Sequence, residues 1–258
     1  MNNIKSLPLV IGLGELLWDC FEDERRPGGA PANVAFQANQ LGCLGTVVTR
    51  VGQDDLGTEL LEFNEDLAAL MPQSQAVCFG TLAQREAGSR EAIHQCLSAT
   101  NENCLVVYDV NLRQHYYERS WIERSLTAAK MVKLNQDEAG KLGEVLGLSA
   151  DGLEQFANHV QGEYGLEAVC ITRGAEGCLI YAGDQEFNIP GSPVEVADAV
   201  GAGDAFTAAL ISRRLLGWGW EQAALFANRI GGLVASQPGA MPVLKQEFEQ
   251  ISQEIQNS

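Results

Sequence analysis

Asp198-Ala199-Val200-Gly201-Ala202-Gly203-Asp204-Ala205-Phe206 is the stretch that decides how this chain is read. Two carboxylates and a Gly-x-Gly turn stand directly in front of an apolar run, Ala205 to Leu216, that the pattern predicts as a helix. Glycines let the backbone turn tightly and aim several N–H groups at one point. The N-terminus of the helix adds roughly half a positive charge there. Such a pocket suits an anion, above all a phosphoryl group in transfer. Asp204, in the first turn, is placed to take a proton from an attacking hydroxyl. Read alone, the segment is equally a turn in which Asp204 caps a helix.

Outward from this stretch, short apolar runs alternate with longer amphipathic ones. Strands are expected at Leu9 to Leu17, Thr46 to Val51, Ala76 to Phe79, Cys104 to Val110, Met131 to Leu134, Ala168 to Thr172 and Cys178 to Tyr181. They are rich in Val, Ile and Cys. Helices are expected at Ala32 to Leu41, Leu56 to Leu70, Ser89 to Ala99, Ser120 to Ala129, Asp137 to Leu146 and Leu153 to Tyr164. Further helices follow at Ala205 to Leu216, Glu221 to Ala235 and Lys245 to Ile255. This alternation predicts an α/β fold, a mostly parallel sheet with helices on both faces. Ligands in such sheets bind beyond the carboxyl ends of the strands. The 258 residues, 46% of them hydrophobic, suffice for one large domain, expected to span 1–258.

A formal net charge of -17 disfavours a nucleic-acid groove, which needs a basic field. The turn, Arg113, Lys133, Arg173 and a divalent cation are the candidates to offset that charge around a nucleotide. The seven cysteines, Cys20, Cys43, Cys78, Cys96, Cys104, Cys170 and Cys178, form no C-x-x-C pair. Scattered through apolar runs, they fit free thiols in a reducing, cytoplasmic setting better than a disulfide framework or a zinc site. The first residues hold no long apolar core, and no apolar run reaches membrane-spanning length, so neither secretion nor a membrane is expected.

Other clusters stand at expected strand ends. Gly12-Leu13-Gly14 lacks the third glycine of a dinucleotide fingerprint. In Pro27-Gly28-Gly29-Ala30-Pro31-Ala32-Asn33, paired glycines permit close approach of a ligand, and Asn33 offers donors and acceptors to a sugar hydroxyl. An ordinary turn and a helix start explain the same residues. Asp19 can accept from two hydroxyls. Asp109-Val-Asn111-Leu-Arg113 brings a guanidinium that either offsets phosphate charge or joins a surface ion pair. In Lys133-Leu-Asn135-Gln-Asp137-Glu138, Asn135 reaches for nucleotide phosphates and Glu138 for magnesium, or Asn135 or Asp137 simply caps the next helix. Thr172-Arg-Gly174-Ala-Glu-Gly177 either covers a nucleotide or is only a hairpin turn. No G-x-S-x-G, H-E-x-x-H or G-x-x-x-x-G-K-[ST] motif is present.

Taken in order, Gly-Glu-Leu-Leu-Trp-Asp19, Pro-Gly-Gly-Ala-Pro-Ala-Asn33, Val-Gly-Gln-Asp-Asp-Leu-Gly57, Asp-Val-Asn-Leu-Arg113, Lys-Leu-Asn-Gln-Asp-Glu138, Thr-Arg-Gly-Ala-Glu-Gly177 and Asp-Ala-Val-Gly-Ala-Gly-Asp204 resemble the ribokinase-like, or phosphofructokinase B, carbohydrate kinases. Ala-Asn228 and Ser236-Gln-Pro-Gly-Ala-Met-Pro242 extend the likeness, which is strongest to fructokinase-type sugar kinases. The resemblance implies a ribokinase-like three-layer sandwich that moves the γ-phosphoryl of ATP to a primary hydroxyl of fructose or a similar hexose. It implies Asp204 as base and Gly201, Ala202 and Gly203 as an anion hole. Asp19, Gly28, Gly29, Asn33 and Arg113 are implied to bind sugar, and Asn135, Thr172, Gly174, Gly177, Gly201, Gly203 and Asn228 to bind ATP. Glu138 is implied near Mg2+, and Asp198 near a monovalent cation such as K+.

One departure stands out. After Phe63, relatives continue through strands of a lid that closes over the sugar and often forms the dimer contact, whereas here Asn64-Glu65-Asp66 follows at once. Residues 18–27 are the remnant, with room for a two-stranded ribbon. The expected consequence is a monomer or weak homodimer with a reduced lid. That leaves three readings: a working sugar kinase, an impaired relative that only binds its ligands, and a kinase for another acceptor such as a nucleoside or a sugar acid.

Overall fold

The computed structural model describes residues 7–20, 25–49, 62–148 and 152–257, leaving aside the side chains at 17–20 and 25–27. In chain order the elements are β1 (Leu9–Leu13), β2 (Leu17–Cys20), β3 (Arg25–Gly28), α1 (Ala30–Gln40), β4 (Leu44–Val48), α2 (Glu65–Leu70), β5 (Ala76–Gly80), α3 (Ala87–Ser98) and β6 (Leu105–Asp109). Then come α4 (Arg119–Ala128), β7 (Met131–Asn135), α5 (Gln136–Leu146), α6 (Leu153–Tyr164), β8 (Ala168–Thr172), β9 (Cys178–Ala182), β10 (Gln185–Ile189), α7 (Ala202–Leu215), α8 (Trp220–Ala235) and α9 (Lys245–Gln256). One sheet runs β10-β9-β8-β7-β6-β5-β1-β4, and β2 and β3 pair separately as a ribbon. From β4 to β8 every pairing is parallel, while β9 and β10 close the far edge antiparallel. The expected mostly parallel sheet between helical layers is what the chain forms.

The two faces of the sheet carry side chains of different size. Ile11, Leu13, Val77, Phe79, Val106, Tyr108, Val132, Leu134, Val169 and Ile171 point into one core, together with buried residues of α3, α4, α5 and α6. Their strand neighbours Val10, Ala76, Cys78, Val107, Met131, Ala168, Cys170 and Cys178 point into the other, against α1, α7, α8 and α9. The second face is built largely of alanine and cysteine, and there helices approach closely. A Cβ on Gly12 would lie 2.0 Å from the Pro31 carbonyl oxygen, and one on Gly45 would lie 1.9 Å from that of Ala35. Only glycine lets α1 sit so near β1 and β4.

Several expected boundaries move. β1 ends at Leu13 rather than Leu17, because Gly14 turns the chain with φ +143° and a separate strand, β2, follows. β4 starts two residues earlier than expected, and Val51 lies outside the described residues. Of the expected helix Leu56 to Leu70, only Glu65–Leu70 is helical within the described residues; residues 56–61 lie outside them. Asn64 starts that helix, its side chain accepting from the Leu67 N–H at 3.0 Å. β10 was not expected at all: Gln185-Glu-Phe-Asn-Ile189 is too polar for a buried strand, and it forms as an edge strand by pairing with β9. The free cysteines Cys43, Cys78, Cys96, Cys104, Cys170 and Cys178 are all buried thiols, as expected, and the Cys20 side chain is outside the description.

Candidate active site

The carboxyl ends of β6, β7 and β8 and the N-termini of α1 and α7 converge on two adjoining cavities. One, of about 470 Å³, is polar and is lined by Glu15, Asn33, Arg113, Lys133, Glu138 and Asp204, among others. The second, of about 370 Å³, is walled by Pro193, Val194, Val196, Phe206 and the backbone of Gly231 and Gly232. Thr172, Ala199 and Gly203 line both, so the cavities meet at the start of α7.

That start is held by a glycine for a steric reason. Gly201, the N-cap, has φ +78°, and a Cβ there would come 2.6 Å from the Ala240 Cα. The helix begins at Ala202, three residues earlier than expected, so Asp204 is its third residue. No side chain caps it. The Ala202 N–H turns to the Ala199 carbonyl at 3.3 Å, and the Ala205 N–H to that of Gly201 at 2.8 Å. The N–H groups of Gly203 and Asp204 have no partner among the described residues, as the first turn of a helix leaves them. Gly203 and Asp204 thus present two free donors at the start of the helix, while the Ala202 N–H of the expected Gly201-Ala202-Gly203 set is turned to Ala199.

Asp204 faces the polar cavity half-buried, and the Asn33 Nδ2 donates to its Oδ2 at 2.7 Å. Burial, followed by repulsion from Asp109, raises its pKa to about 6; the Asn33 hydrogen bond, Lys133 and Arg113 oppose the rise. A carboxylate poised there is ionised at neutral pH yet basic enough to accept a proton in a transition state.

Other expected residues line the same space. Gly29, with φ +112°, caps α1, and its absent Cβ clears the Glu15 carbonyl, which would be 2.6 Å away. Gly28 is buried at the end of β3. Asp19 is on β2, but its side chain is outside the description. Arg113 is exposed on the cavity rim, between Asn111 and Gln114, which both hold positive φ (40° and 48°). Asn135 caps α5 through its Oδ1, so the capping alternative holds; the residue still lines the cavity. Both Glu138 oxygens accept backbone N–H bonds, from Leu112 at 2.9 Å and Asn135 at 2.8 Å. Among the described residues no three His, Cys, Asp or Glu side chains group to cage a metal. Asp198 likewise accepts from Val200 and Gly239, each at 3.0 Å, and so ties the turn to the 239 loop.

On the apolar side, Thr172, Gly174, Gly177 and Asn228 all line the second cavity. Gly177, with φ +90°, is packed so tightly that a Cβ would lie 2.1 Å from the Ile189 carbonyl oxygen. Asn228 donates to the Ile189 and Pro190 carbonyls at 3.2 and 3.3 Å, fixing α8 to the end of β10. The expectation that Thr172 to Gly177 joins two strands is met: β8 and β9 are an antiparallel hairpin.

Lys133 and Asp109 stand in separate sequence motifs, and the fold joins them. Lys133 and Asp109 form an ion pair at 3.1 Å in which both side chains are more than nine-tenths buried. The signal was a lysine between Val132 and Leu134, inside a strand otherwise apolar.

The sequence pattern described as "pfkB family carbohydrate kinase" matches residues 9–68 and 62–247. The chain belongs to the pfkB family of carbohydrate kinases. The two matched pieces of the pfkB pattern overlap at 62–68, beside the Phe63 junction where lid residues were expected to be missing. Fructokinase-1 of Oryza sativa subsp. japonica is 26% identical over 313 aligned positions, covering 93% of this chain and 96% of that one. The alignment is longer than the 258 residues of this chain, so the rice protein carries residues with no counterpart here. A nucleoside kinase of Methanothermobacter thermautotrophicus is 25% identical over 82% of this chain and 79% of its own. In fold, the chain matches a fructokinase with bound ATP from Xylella fastidiosa with a TM-score of 0.82, at 18% identity, over 97% and 99% of the two chains. This pfkB chain is thus a carbohydrate kinase with a ribokinase-like fold.

Proposed function

We propose that the chain is an ATP-dependent sugar kinase acting on the primary hydroxyl of fructose or a similar hexose, with residues 1–258 serving as one kinase domain. The observation that carries this reading is the position of Asp204. It stands in the first turn of α7, held by Asn33, beside two unpartnered N–H groups and where a polar cavity meets an apolar one. The polar cavity takes the acceptor: Asn33, Gly29 and Arg113 line it, and Asp19 stands on the adjoining ribbon. The apolar cavity takes the adenine face of the nucleotide, with Thr172, Gly174, Gly177 and Asn228 around it. The γ-phosphoryl then lies at the shared boundary, against Gly203.

In this reading Asp204 accepts the hydroxyl proton as the acceptor oxygen bonds to the γ-phosphorus. The bond to the β,γ-bridging oxygen breaks and ADP leaves. The Gly203 and Asp204 amides and the helix dipole stabilise the charge on the transferring group. Glu138, oriented by two backbone amides and facing the polar cavity, is the residue that would hold the water shell of a magnesium ion. A single carboxylate suits an ion held chiefly by phosphates and water, and the metal supplies neutralising charge on those phosphates. Asp198, which accepts from Val200 and Gly239, is the residue that would stand beside a potassium ion and offset its charge.

A nucleoside or sugar-acid acceptor is the second reading, favoured by the likeness to a nucleoside kinase. The deciding experiment measures ADP release from ATP and magnesium in potassium and in tetramethylammonium salt, with fructose, with an acceptor panel and with none. Asp204→Asn is the control. Fructose-dependent release that the variant loses supports the proposal. Release only with a nucleoside or sugar acid moves the substrate. No release with any acceptor, while ATP still binds, overturns it in favour of an impaired ligand-binding relative.

A further inference from the structure

Beneath the glycine turn, three elements meet in a buried polar network. Lys133 on β7 reaches Asp109 at the end of β6, with Nζ 3.1 Å from Oδ1 and 3.2 Å from Oδ2. The Thr207 hydroxyl, in the second turn of α7, lies 2.8 Å from Asp109 Oδ2 and 3.0 Å from the Gly203 carbonyl. The Lys133 Nζ also comes within 3.2 Å of where a Cβ on Gly203 would be, so the ammonium stands directly under the second residue of the helix.

This is an unfavourable place for a cation. A helix N-terminus is itself positive, and a buried ion pair is often replaceable by apolar residues at no loss of stability. Burial does oppose the charge of Lys133, yet Asp109, Asp204 and Glu138 outweigh burial and keep it protonated. Those carboxylates outnumber the one ammonium, which therefore moderates their repulsion of an anion where it lies beside the Gly203 and Asp204 N–H groups, the place a phosphoryl group would take.

We propose that Lys133 is the fixed cation of the phosphoryl pocket, a positioning residue held by Asp109 and Thr207 that acts through the glycine turn and through Asp204. The inference rests on the kinase reading of the site. The groups that act on Asp204 include Asn33 from α1, Asp109 from β6, Arg113 from the following loop and Lys133 from β7, and Cys78 of β5 also feels its charge.

The test compares Asp109→Asn, which keeps the cation, with the double variant Lys133→Met/Asp109→Asn, which removes it without stranding a buried charge. With thermal melts confirming that both fold, kcat of the double variant is expected about tenfold or more below that of Asp109→Asn, less than the roughly hundredfold that loss of a directly contacting donor costs. Turnover of the two within about twofold overturns the proposal. A second readout is independent of the acceptor: the gain in ADP affinity on adding aluminium fluoride, a mimic of the transferring group. That gain is expected to survive in Asp109→Asn and to shrink in the double variant, and an equal gain in both also overturns the proposal. Wild-type protein that phosphorylates no sugar but shows this difference would sink the substrate reading and leave Lys133 in its role. If the double variant does not fold, Lys133→Gln decides by the same aluminium fluoride readout; an undiminished gain in ADP affinity rejects the role.

Discussion

Asp204 is a carboxylate that the fold makes harder to ionise. Its pKa near 6 predicts that kcat/KM falls tenfold per pH unit below about pH 6 and is flat above it. An acid limb near pH 4 would show that the base is another group or that the site is wetter than described. The same shift has a stability consequence, and its sign is fixed by linkage. A carboxyl whose folded pKa lies above its unfolded value destabilises the fold once ionised; the penalty is absent below about pH 4 and complete above about pH 6. Asp204→Asn is therefore expected to lose most turnover while gaining on the order of 1–3 kcal/mol at neutral pH. A melt at pH 7 set against one at pH 4 checks it, because the gain should vanish at the lower pH. At this scale the sequence was a good guide to Asp204 and Asn33, whose residue types announce their chemistry. It marked Lys133 as a candidate charge near a nucleotide but not its pairing with Asp109, since nothing in a linear pattern says that two residues on adjacent strands share one buried spot.

At the scale of elements, strands and helices were legible wherever an apolar period was strong, as in β5, β7, β8 and α6. Boundaries slipped where backbone geometry rather than composition decided them. Gly14 ended β1 early, and Gly201 started α7 at Ala202, because positive φ stops or opens an element whatever the flanking hydrophobicity. β10 was hidden because an edge strand need not be apolar. The turn before α7 also yields a prediction. Gly203→Val would place methyl groups against the Lys133 ammonium, 3.2 Å from the Cβ position, and over one of the two free N–H groups. Nucleotide affinity is expected to fall by about tenfold or more, the equivalent of about 1.4 kcal/mol. Calorimetric titration with ATP checks it, and wild-type affinity would remove the anion pocket from this turn.

The only sheet besides the large one, among the described residues, is the ribbon of β2 and β3, four residues to a strand. Closure over an acceptor excludes water and completes a site. With so short a ribbon, hydrolysis of ATP without sugar is expected at more than about a tenth of the sugar-dependent rate, and grafting a relative's segment after Phe63 should lower it while tightening sugar binding. Hydrolysis below one part in a hundred would mean that the chain closes its site by other means. The short connection after Phe63 leads us to expect a monomer or weak homodimer by sedimentation. Architecture at this scale was readable because strand–helix alternation admits few solutions, and the ribbon expected of residues 18–27 forms as β2 and β3.

The unequal faces of the sheet have one more consequence. Cys78, Cys170 and Cys178 lie in the close-packed layer beneath α1, α7 and α8, which also carries the glycine turn. Burial pushes the Cys78 and Cys170 thiols well above the ordinary range, so neither reacts while that layer is shut. Each acts as a sealed chemical timer: the rate at which a thiol reagent labels it counts how often the floor of the phosphoryl pocket opens, and a bound nucleotide should slow the count.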